Sequence, residues 1–175
     1  MSVIFVGGVH GVGKGTHCHL ISQRTGIPWF TASSIIKAER QSAIAVDTKA
    51  VADPSGNQSL LLRGVRRVLT TNATIILDGH FTILNSRNSI VPIDIEVFEQ
   101  LRLQGIVVLK DNPSLICDRL RRRDGCEWAV ADIRSHQETE TTHAKMVATK
   151  LAVPIMIVES SDNDSFTKAV RAMLG

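Results

Sequence analysis

The glycine-rich stretch at residues 8–16 constrains the fold of this chain more than any other feature. It reads Gly-Val-His-Gly-Val-Gly-Lys-Gly-Thr, follows the apolar run at residues 3–6 and precedes a segment with helical spacing. Glycines let such a loop curl so that backbone N–H groups and a helix N-terminus point at a phosphate, and the lysine adds a positive charge. The alternative is an ordinary glycine-rich turn with a solvated lysine. The pattern predicts nucleotide binding by Gly8, His10, Gly11, Val12, Gly13, Lys14, Gly15 and Thr16.

Length and composition indicate one ordinary globular domain. A chain of 175 residues is about the size of a single domain, so we expect one unit over residues 1–175. The net charge of +3 is too small to favour nucleic acid as a partner. No segment has the pattern of a signal peptide or a membrane span, and Cys18, Cys117 and Cys126 form no CxxC pair. We therefore expect a cytoplasmic protein with reduced thiols and no membrane partner.

Short apolar runs alternate with amphipathic stretches along the chain, which is typical of parallel strands joined by right-handed helical crossovers. The pattern predicts an α/β protein with the three-layer P-loop NTPase fold, in which helices flank a five-stranded parallel sheet. The expected strands are residues 3–6, 27–31, 74–78, 105–109 and 154–158. The expected helices are residues 14–24, 31–41, 57–70, 94–101, a helix beginning at residues 111–113, residues 127–150 and a final helix ending near residue 174, with a hairpin within residues 81–92.

A carboxylate and a histidine follow the third predicted strand. Asp78 ends the apolar run at residues 74–77, so the strand delivers an acid to the carboxyl edge of the sheet. Gly15 stands where the common phosphate loop has a Ser or Thr on Mg²⁺, and Asp78 is therefore our candidate metal anchor, acting through water. His80 is a candidate to orient an oxygen anion. The alternatives are a turn or capping role for Asp78 and a backbone-bonded His80.

Four arginines, Arg119, Arg121, Arg122 and Arg123, end the helix that begins near residue 112. Cations complement the negative end of a helix dipole, so part of this charge needs no function. Four positive charges are nevertheless more than is needed to complement the helix dipole. Arg119 and Arg123 share one helix face because they are four residues apart, and they are our candidates for contacting a phosphate.

These motifs resemble those of adenylate kinases. The string GxxGxGKGT resembles the adenylate kinase variant of the phosphate loop, and Asp78-Gly79-His80 is similar to the Asp-x-His of the compact, short-lidded branch. The resemblance implies phosphoryl transfer from ATP with Mg²⁺ to a nucleoside monophosphate. It makes Lys14, Asp78, Arg119 and Arg123 catalytic, with a lid at about residues 119–134 whose arginines close on the γ-phosphate.

The same resemblance places an acceptor region at about residues 31–72. Residues 32–37 stand where the family has Thr-Gly-Asp-Leu-Leu-Arg, which makes Ser33 a candidate contact to an acceptor base and puts Lys37 in place of the usual arginine. Thr82 likewise replaces an arginine of the common enzymes. If the helix at 57–70 borders this region, Arg63 would clamp a phosphate, with Asn57 and Gln58 as amides for a base. The alternative is that Arg63, Arg66 and Arg67 form a solvated surface.

Three functions therefore stay open at the level of the sequence. The first hypothesis is a nucleoside monophosphate kinase with a nucleotide donor and a small-molecule acceptor. The alternatives are a small-molecule kinase of the gluconate or shikimate type and an ATP-binding or ATPase regulatory module without kinase activity. The sequence does not determine the acceptor or the oligomeric state. We interpret His136, Glu140 and His143, which share a helix face but do not form an HExxH motif, as a polar surface.

Overall fold

The computed structural model describes residues 1–45, 54–85, 87–125 and 127–174, so Cys126 lies outside the described residues. Within them, no helix combines the length and apolar character that crossing a membrane requires. The strands are β1 (Ser2–Gly7), β2 (Trp29–Thr31), β3 (Thr74–Asp78), β4 (Thr82–Leu84), β5 (Ile90–Pro92), β6 (Leu103–Lys110) and β7 (Ile155–Glu159). The helices are α1 (Lys14–Thr25), α2 (Ala32–Ala45), α3 (Pro54–Leu69), α4 (Ile95–Gln100), α5 (Pro113–Asp124), α6 (Val130–Leu151) and α7 (Asn163–Ala172).

Five strands form one parallel sheet in the order β2-β3-β1-β6-β7. β1 is therefore central and lies between β3 and β6, which brings the loop after β1 beside the residues that follow β3. β4 and β5 form a separate antiparallel hairpin. The predicted α/β fold with a five-stranded parallel sheet flanked by helices is confirmed.

Each face of the sheet has its own hydrophobic core, because successive side chains of a strand point to opposite faces. In β1, Ile4 and Val6 pack on the side of α1, α5 and α7, whereas Val3 and Phe5 pack on the side of α3, α4 and α6. All four side chains are almost fully buried. Burial on both faces explains why the strand sequences are continuous apolar runs rather than alternating ones.

Several predicted boundaries differ from those of the structure; α2, for example, ends at Ala45 instead of residue 41. α3 begins at Pro54 instead of residue 57, and proline is favoured in the first helical turn, where its missing N–H leaves no bond unmade. β2 begins at Trp29 instead of residue 27. α6 begins at Val130 instead of residue 127 because Ala129 is extended and serves as its N-cap.

Candidate active site

The glycine-rich loop connects β1 to α1 at the carboxyl edge of the sheet. Gly13 has φ 107° and is the N-cap of α1, a conformation that favours glycine. Gly8 has φ 142°, and a Cβ at that position would stand 2.7 Å from the carbonyl oxygen of Leu109. Both positions need glycine, which is what allows the chain to curl at the helix N-terminus as the sequence predicts.

Lys14 points back into this loop. Its Nζ donates to the carbonyl oxygens of Gly8 at 2.7 Å and Val9 at 3.3 Å, and it lies 3.8 Å from Oδ1 of Asp78. Burial lowers the pKa of Lys14, a shift that Asp78 and Glu140 oppose. Burial also raises the pKa of Asp78, a shift that Lys14 opposes. The two charged groups are therefore partly desolvated and only loosely paired. Lys14 can accordingly bind a polyphosphate, and Asp78 can bind a cation.

A cavity of about 760 Å³ opens in front of the loop, a volume in the usual range of small-molecule sites. It joins elements from four parts of the chain: the loop and α1, the start of α2, the end of β3 and the end of α5. Its lining residues are His10, Gly11, Gly13, Lys14, Gly15, Thr16, Thr31, Ala32, Ser33, Asp78, Gly79, His80, Arg119, Arg122 and Arg123.

The arginines of α5 form the cationic wall of this cavity. Arg119 donates through Nη1 to the carbonyl oxygen of Gly11 at 3.1 Å and through Nη2 to Oδ2 of Asp111 at 2.5 Å, so its guanidinium is fixed against the glycine loop. Arg123 makes a two-point contact with Asp124 at 2.6 and 2.7 Å. The structure thus brings the two predicted lid arginines, together with Arg122, to the same opening.

Two histidine rings lie against each other beside the loop, tilted by 42°. The rings of His10 and His80 have centroids 4.2 Å apart. Burial, with help from Lys14, lowers the pKa of His10 to about 4. Burial, with help from Lys14, His10 and His136, lowers the pKa of His80 to about 2. Both rings are therefore neutral near pH 7. The Nδ1 of His80 is buried without a hydrogen-bond partner among the described residues and lies 3.9 Å from Oε1 of Glu140.

The predicted acceptor residues fall into two groups. Ser33 lines the cavity beside Thr31, and the two hydroxyls are 3.0 Å apart. Lys37, Asn57, Gln58 and Arg63 are not among the residues that line this cavity. The structure therefore brings only Ser33 of this set to the glycine loop.

Glu39 explains the placement of two of the arginines on α3. The Nε atoms of Arg63 and Arg67 bind its two carboxylate oxygens at 2.8 and 2.7 Å. Asn57 is engaged elsewhere, because its Oδ1 accepts from Arg40 at 2.6 Å. Hydrogen bonds from Arg67 and Arg63 hold the pKa of Glu39 low, although burial works in the opposite direction. The Arg63 and Arg67 guanidinia are thus held on the α2–α3 interface.

The interpretation of His136, Glu140 and His143 as a polar surface is wrong. All three are buried on the face of α6 that packs on the sheet, and Glu140 is only 1% exposed. His136 Nε2 pairs with the Thr82 hydroxyl at 3.0 Å, and His143 Nε2 lies 2.6 Å from the carbonyl oxygen of Ile93. The sequence did carry a signal: Glu140 falls seven residues after Ile133 and seven before Val147, in the middle of the apolar stripe of the helix.

The oxygen ligands of the cavity fit a magnesium ion. Asp78 is the carboxylate of the described lining, and Thr16, which carries a hydroxyl, also lines the cavity. No group of three or more His, Cys, Asp or Glu that could hold a metal by itself occurs in residues 1–45, 54–85, 87–125 and 127–174. Mg²⁺ keeps waters and takes carboxylate and phosphate oxygens, so Asp78 together with a nucleotide is a suitable donor set.

The fold and this loop define a P-loop nucleotide-binding domain. The chain belongs to the AAA domain family, whose model matches residues 7–137. The matched region runs from the glycine loop through Asp78 to the arginines of α5. A search of curated proteins finds no match.

Solved structures show the same fold in named kinases. A gluconokinase from Sinorhizobium meliloti is 17% identical with a TM-score of 0.54, and the alignment covers 99% of this chain and 89% of that one. A sugar kinase from Janibacter is 15% identical with a TM-score of 0.57, over 99% and 94%. A shikimate kinase from Bacteroides thetaiotaomicron is 17% identical with a TM-score of 0.57, over 99% and 98%. The fold is thus that of P-loop kinases, and the adenylate kinase-like specificity stays a prediction.

Proposed function

We propose that the protein is a P-loop kinase that transfers the γ-phosphoryl group of ATP, with Mg²⁺, to a small-molecule acceptor. The observation that carries this proposal is the cavity that Lys14, Asp78 and the α5 arginines share with the uncharged side chains of Thr31, Ala32 and Ser33. In this proposal residues 1–175 form one domain, with an acceptor region within residues 31–72 and a lid at about residues 119–134. Structural likeness to kinases of sugars and shikimate supports it.

The catalysis that we propose is positioning and charge neutralisation, which phosphoryl transfer mainly requires. Lys14 would exchange its two carbonyl contacts for phosphate oxygens, and the loop N–H groups would bind the donor phosphates. Asp78 would anchor Mg²⁺, which would supply positive charge to neutralise the phosphates. Arg119 and Arg123 would contact the transferred group, where a fixed positive charge stabilises the transition state.

The acceptor is either a nucleoside monophosphate, as the adenylate kinase resemblance implies, or a hydroxylated metabolite. A monophosphate needs a cation on its phosphate, and Arg63, the predicted clamp, is paired with Glu39 instead. The cavity lining at the start of α2 includes Thr31, Ala32 and Ser33, of which Thr31 and Ser33 carry hydroxyls and none carries a charge. This distribution favours a hydroxylated acceptor without a charged group, whose hydroxyls can bond to the side chains of Thr31 and Ser33 without a buried charge to compensate.

A coupled ADP-release assay over a panel of monophosphates and hydroxylated metabolites tests the proposal. We expect at least one compound to stimulate turnover and Lys14→Ala to abolish the stimulation. Lys145→Ala, which removes an exposed lysine on α6, is the matched control and should keep full activity. ATP binding without stimulation by any compound would contradict the kinase assignment and leave the regulatory module as the function.

The same assay separates the two acceptor classes. With a hydroxylated acceptor, Arg63→Ala should leave the KM for the acceptor within about twofold of the wild type, because that guanidinium is held by Glu39. With a monophosphate that recruits Arg63, loss of the charge-assisted bond should raise the KM about tenfold or more.

A further inference from the structure

One buried carboxylate holds two segments of the candidate active site together. Oε1 of Glu140 accepts hydrogen bonds from the backbone N–H of Gly8 at 3.1 Å and of Phe81 at 2.8 Å. Oε2 accepts from the backbone N–H of Thr82 at 2.8 Å and from the Thr82 hydroxyl at 2.5 Å. Both oxygens of this side chain are thus used, and all four donors come from residues next to the proposed site.

The first of these donors sets the glycine loop. Gly8 is the first residue of that loop, and its carbonyl oxygen accepts from Lys14 Nζ at 2.7 Å. Its N–H, on the other side of the same residue, is held by Glu140. The carboxylate therefore fixes the residue against which the proposed catalytic lysine rests.

The other donors set the segment that follows β3. Phe81 and Thr82 come directly after Asp78-Gly79-His80, and Gly79 donates its N–H to the carbonyl oxygen of Val6 at 3.0 Å. The segment is therefore held by β1 through Gly79 and by α6 through Glu140, and Ile93 also donates its N–H to the Phe81 carbonyl oxygen at 2.9 Å. Contacts with β1 and α6 thus bracket the residues that follow Asp78.

The same helix reaches the arginine wall. Gln137, about one turn before Glu140, brackets Asp111: it accepts from the Asp111 N–H at 3.0 Å and donates to its carbonyl oxygen at 2.9 Å. Asp111 in turn accepts from Arg119 through its side chain. One face of α6 thus contacts the glycine loop, the segment after Asp78 and the strand end that orients Arg119.

We propose that Glu140 is a positioning residue that sets the glycine loop and the Asp78-Gly79-His80 segment in register for phosphate binding. This inference rests on the function proposed above. Glu140 has no place among the cavity-lining residues, so it acts through Gly8, Phe81 and Thr82 rather than by touching a substrate.

A carboxylate suits this task better than the amide of the same shape. Three of the four donors are backbone N–H groups, which cannot turn round to accept. Glu140→Gln would face at least one of them with an NH₂ group and leave it without an acceptor. Because a buried donor without an acceptor is costly, the segment concerned would move to find another partner.

The test compares Glu140→Gln with His143→Phe in the full chain. His143 lies one turn further along the same buried face, and its described hydrogen bond is to the carbonyl oxygen of Ile93 and not to the glycine loop. Each variant loses buried hydrogen bonding at similar side-chain volume, so a merely structural role predicts the same behaviour for both. Three quantities are measured: the urea midpoint, the affinity for MgATP by calorimetry, and the amide resonance of Gly8 in the protein without nucleotide.

We expect both variants to lose stability, but only Glu140→Gln to weaken MgATP binding, by about tenfold or more, and to shift the Gly8 amide upfield. His143→Phe should bind MgATP within about twofold of the wild type and leave that amide unmoved. Unchanged MgATP affinity and an unmoved Gly8 resonance in Glu140→Gln would overturn the proposal.

Thr82→Val covers the case in which Glu140→Gln does not fold. It removes the hydroxyl donor and keeps the backbone one, so we expect a smaller loss of MgATP affinity of about threefold to tenfold. An affinity equal to that of the wild type would count against the proposal. Neither measurement needs an acceptor, so a failure to find stimulated turnover would refute the kinase function and leave this test intact.

Discussion

Gly64→Ala tests how closely α2 and α3 pack at the edge of the proposed acceptor region. A Cβ at Gly64 would overlap the Cγ2 methyl of Ile35 and stand 2.9 Å from Cγ of Glu39, well inside the ~3.5–4.0 Å of an ordinary carbon contact. Alanine in a helix interior is favoured over glycine by about 1 kcal/mol. Overpacking a buried contact costs about 1–3 kcal/mol, and overlap with a branched side chain belongs at the upper end. We therefore expect a net destabilisation of about 1–2 kcal/mol.

Urea unfolding of four proteins measures this balance: the wild type, Gly64→Ala, Ile35→Ala and the double variant. Ile35→Ala removes the methyl group that the added Cβ would strike, so the Gly64→Ala substitution should cost nothing or be stabilising in that background. The expected coupling between the two sites is thus about 1–3 kcal/mol. If Gly64→Ala instead raised the free energy of unfolding by about 1 kcal/mol in the wild-type background, helix propensity would dominate and the close α2–α3 contact would be refuted.

Two further predictions concern charge. The pKa of His80 is about 2 in the folded protein and about 6.5 in the unfolded chain. Between these two pH values the imidazole is therefore protonated in the unfolded chain and neutral in the folded protein. The contribution of His80 to the free energy of unfolding should therefore be largely present above pH 6.5 and fall by about 2 kcal/mol between pH 7 and pH 5. Urea unfolding in EDTA should show a correspondingly smaller loss of stability over this pH range in His80→Gln. Equal losses in the variant and the wild type would contradict this prediction. Arg119→Lys loses the planar fork that spans Gly11 and Asp111, so kcat should fall about tenfold while the lysine keeps most of the MgATP affinity; steady-state kinetics with an unchanged kcat would count against a role in transfer.

The fold could be predicted because its determinants are local in the sequence. The apolar run before residue 8 and the run at residues 74–77 are long enough to mark buried strands, and the glycines between β1 and α1 allow few other conformations. Boundaries were less well predicted, because a helix start such as that of α6 depends on the backbone conformation of Ala129 rather than on residue type.

The parts of the candidate site that are formed by residues close together in the sequence could be predicted, and those that depend on long-range contacts could not. Residues 8–16 and Asp78 sit at strand ends that a parallel sheet must bring to one edge, and the structure does so. The contact between Glu140 and Gly8 spans 132 residues and could not be inferred without knowing how α6 packs. The polar side chain of Glu140 favoured an exposed position, whereas its place in an apolar stripe favoured a buried one. The structure shows that it is buried.

The pairing of Glu39 with Arg63 and Arg67 bears on the class of acceptor that we propose. The cations in its described lining, Lys14 and the arginines of α5, lie around the glycine loop, where the donor phosphates would bind. An anionic acceptor beside Thr31, Ala32 and Ser33 would add charge where these lining side chains carry none, and a partly buried anion without a partner is costly. Drawing an arginine from Glu39 would in turn leave a 6% exposed carboxylate less well paired. A hydroxylated acceptor without a charged group avoids both costs, so the charge distribution supports our proposal of such an acceptor over a nucleoside monophosphate, even though the loop resembles that of an adenylate kinase.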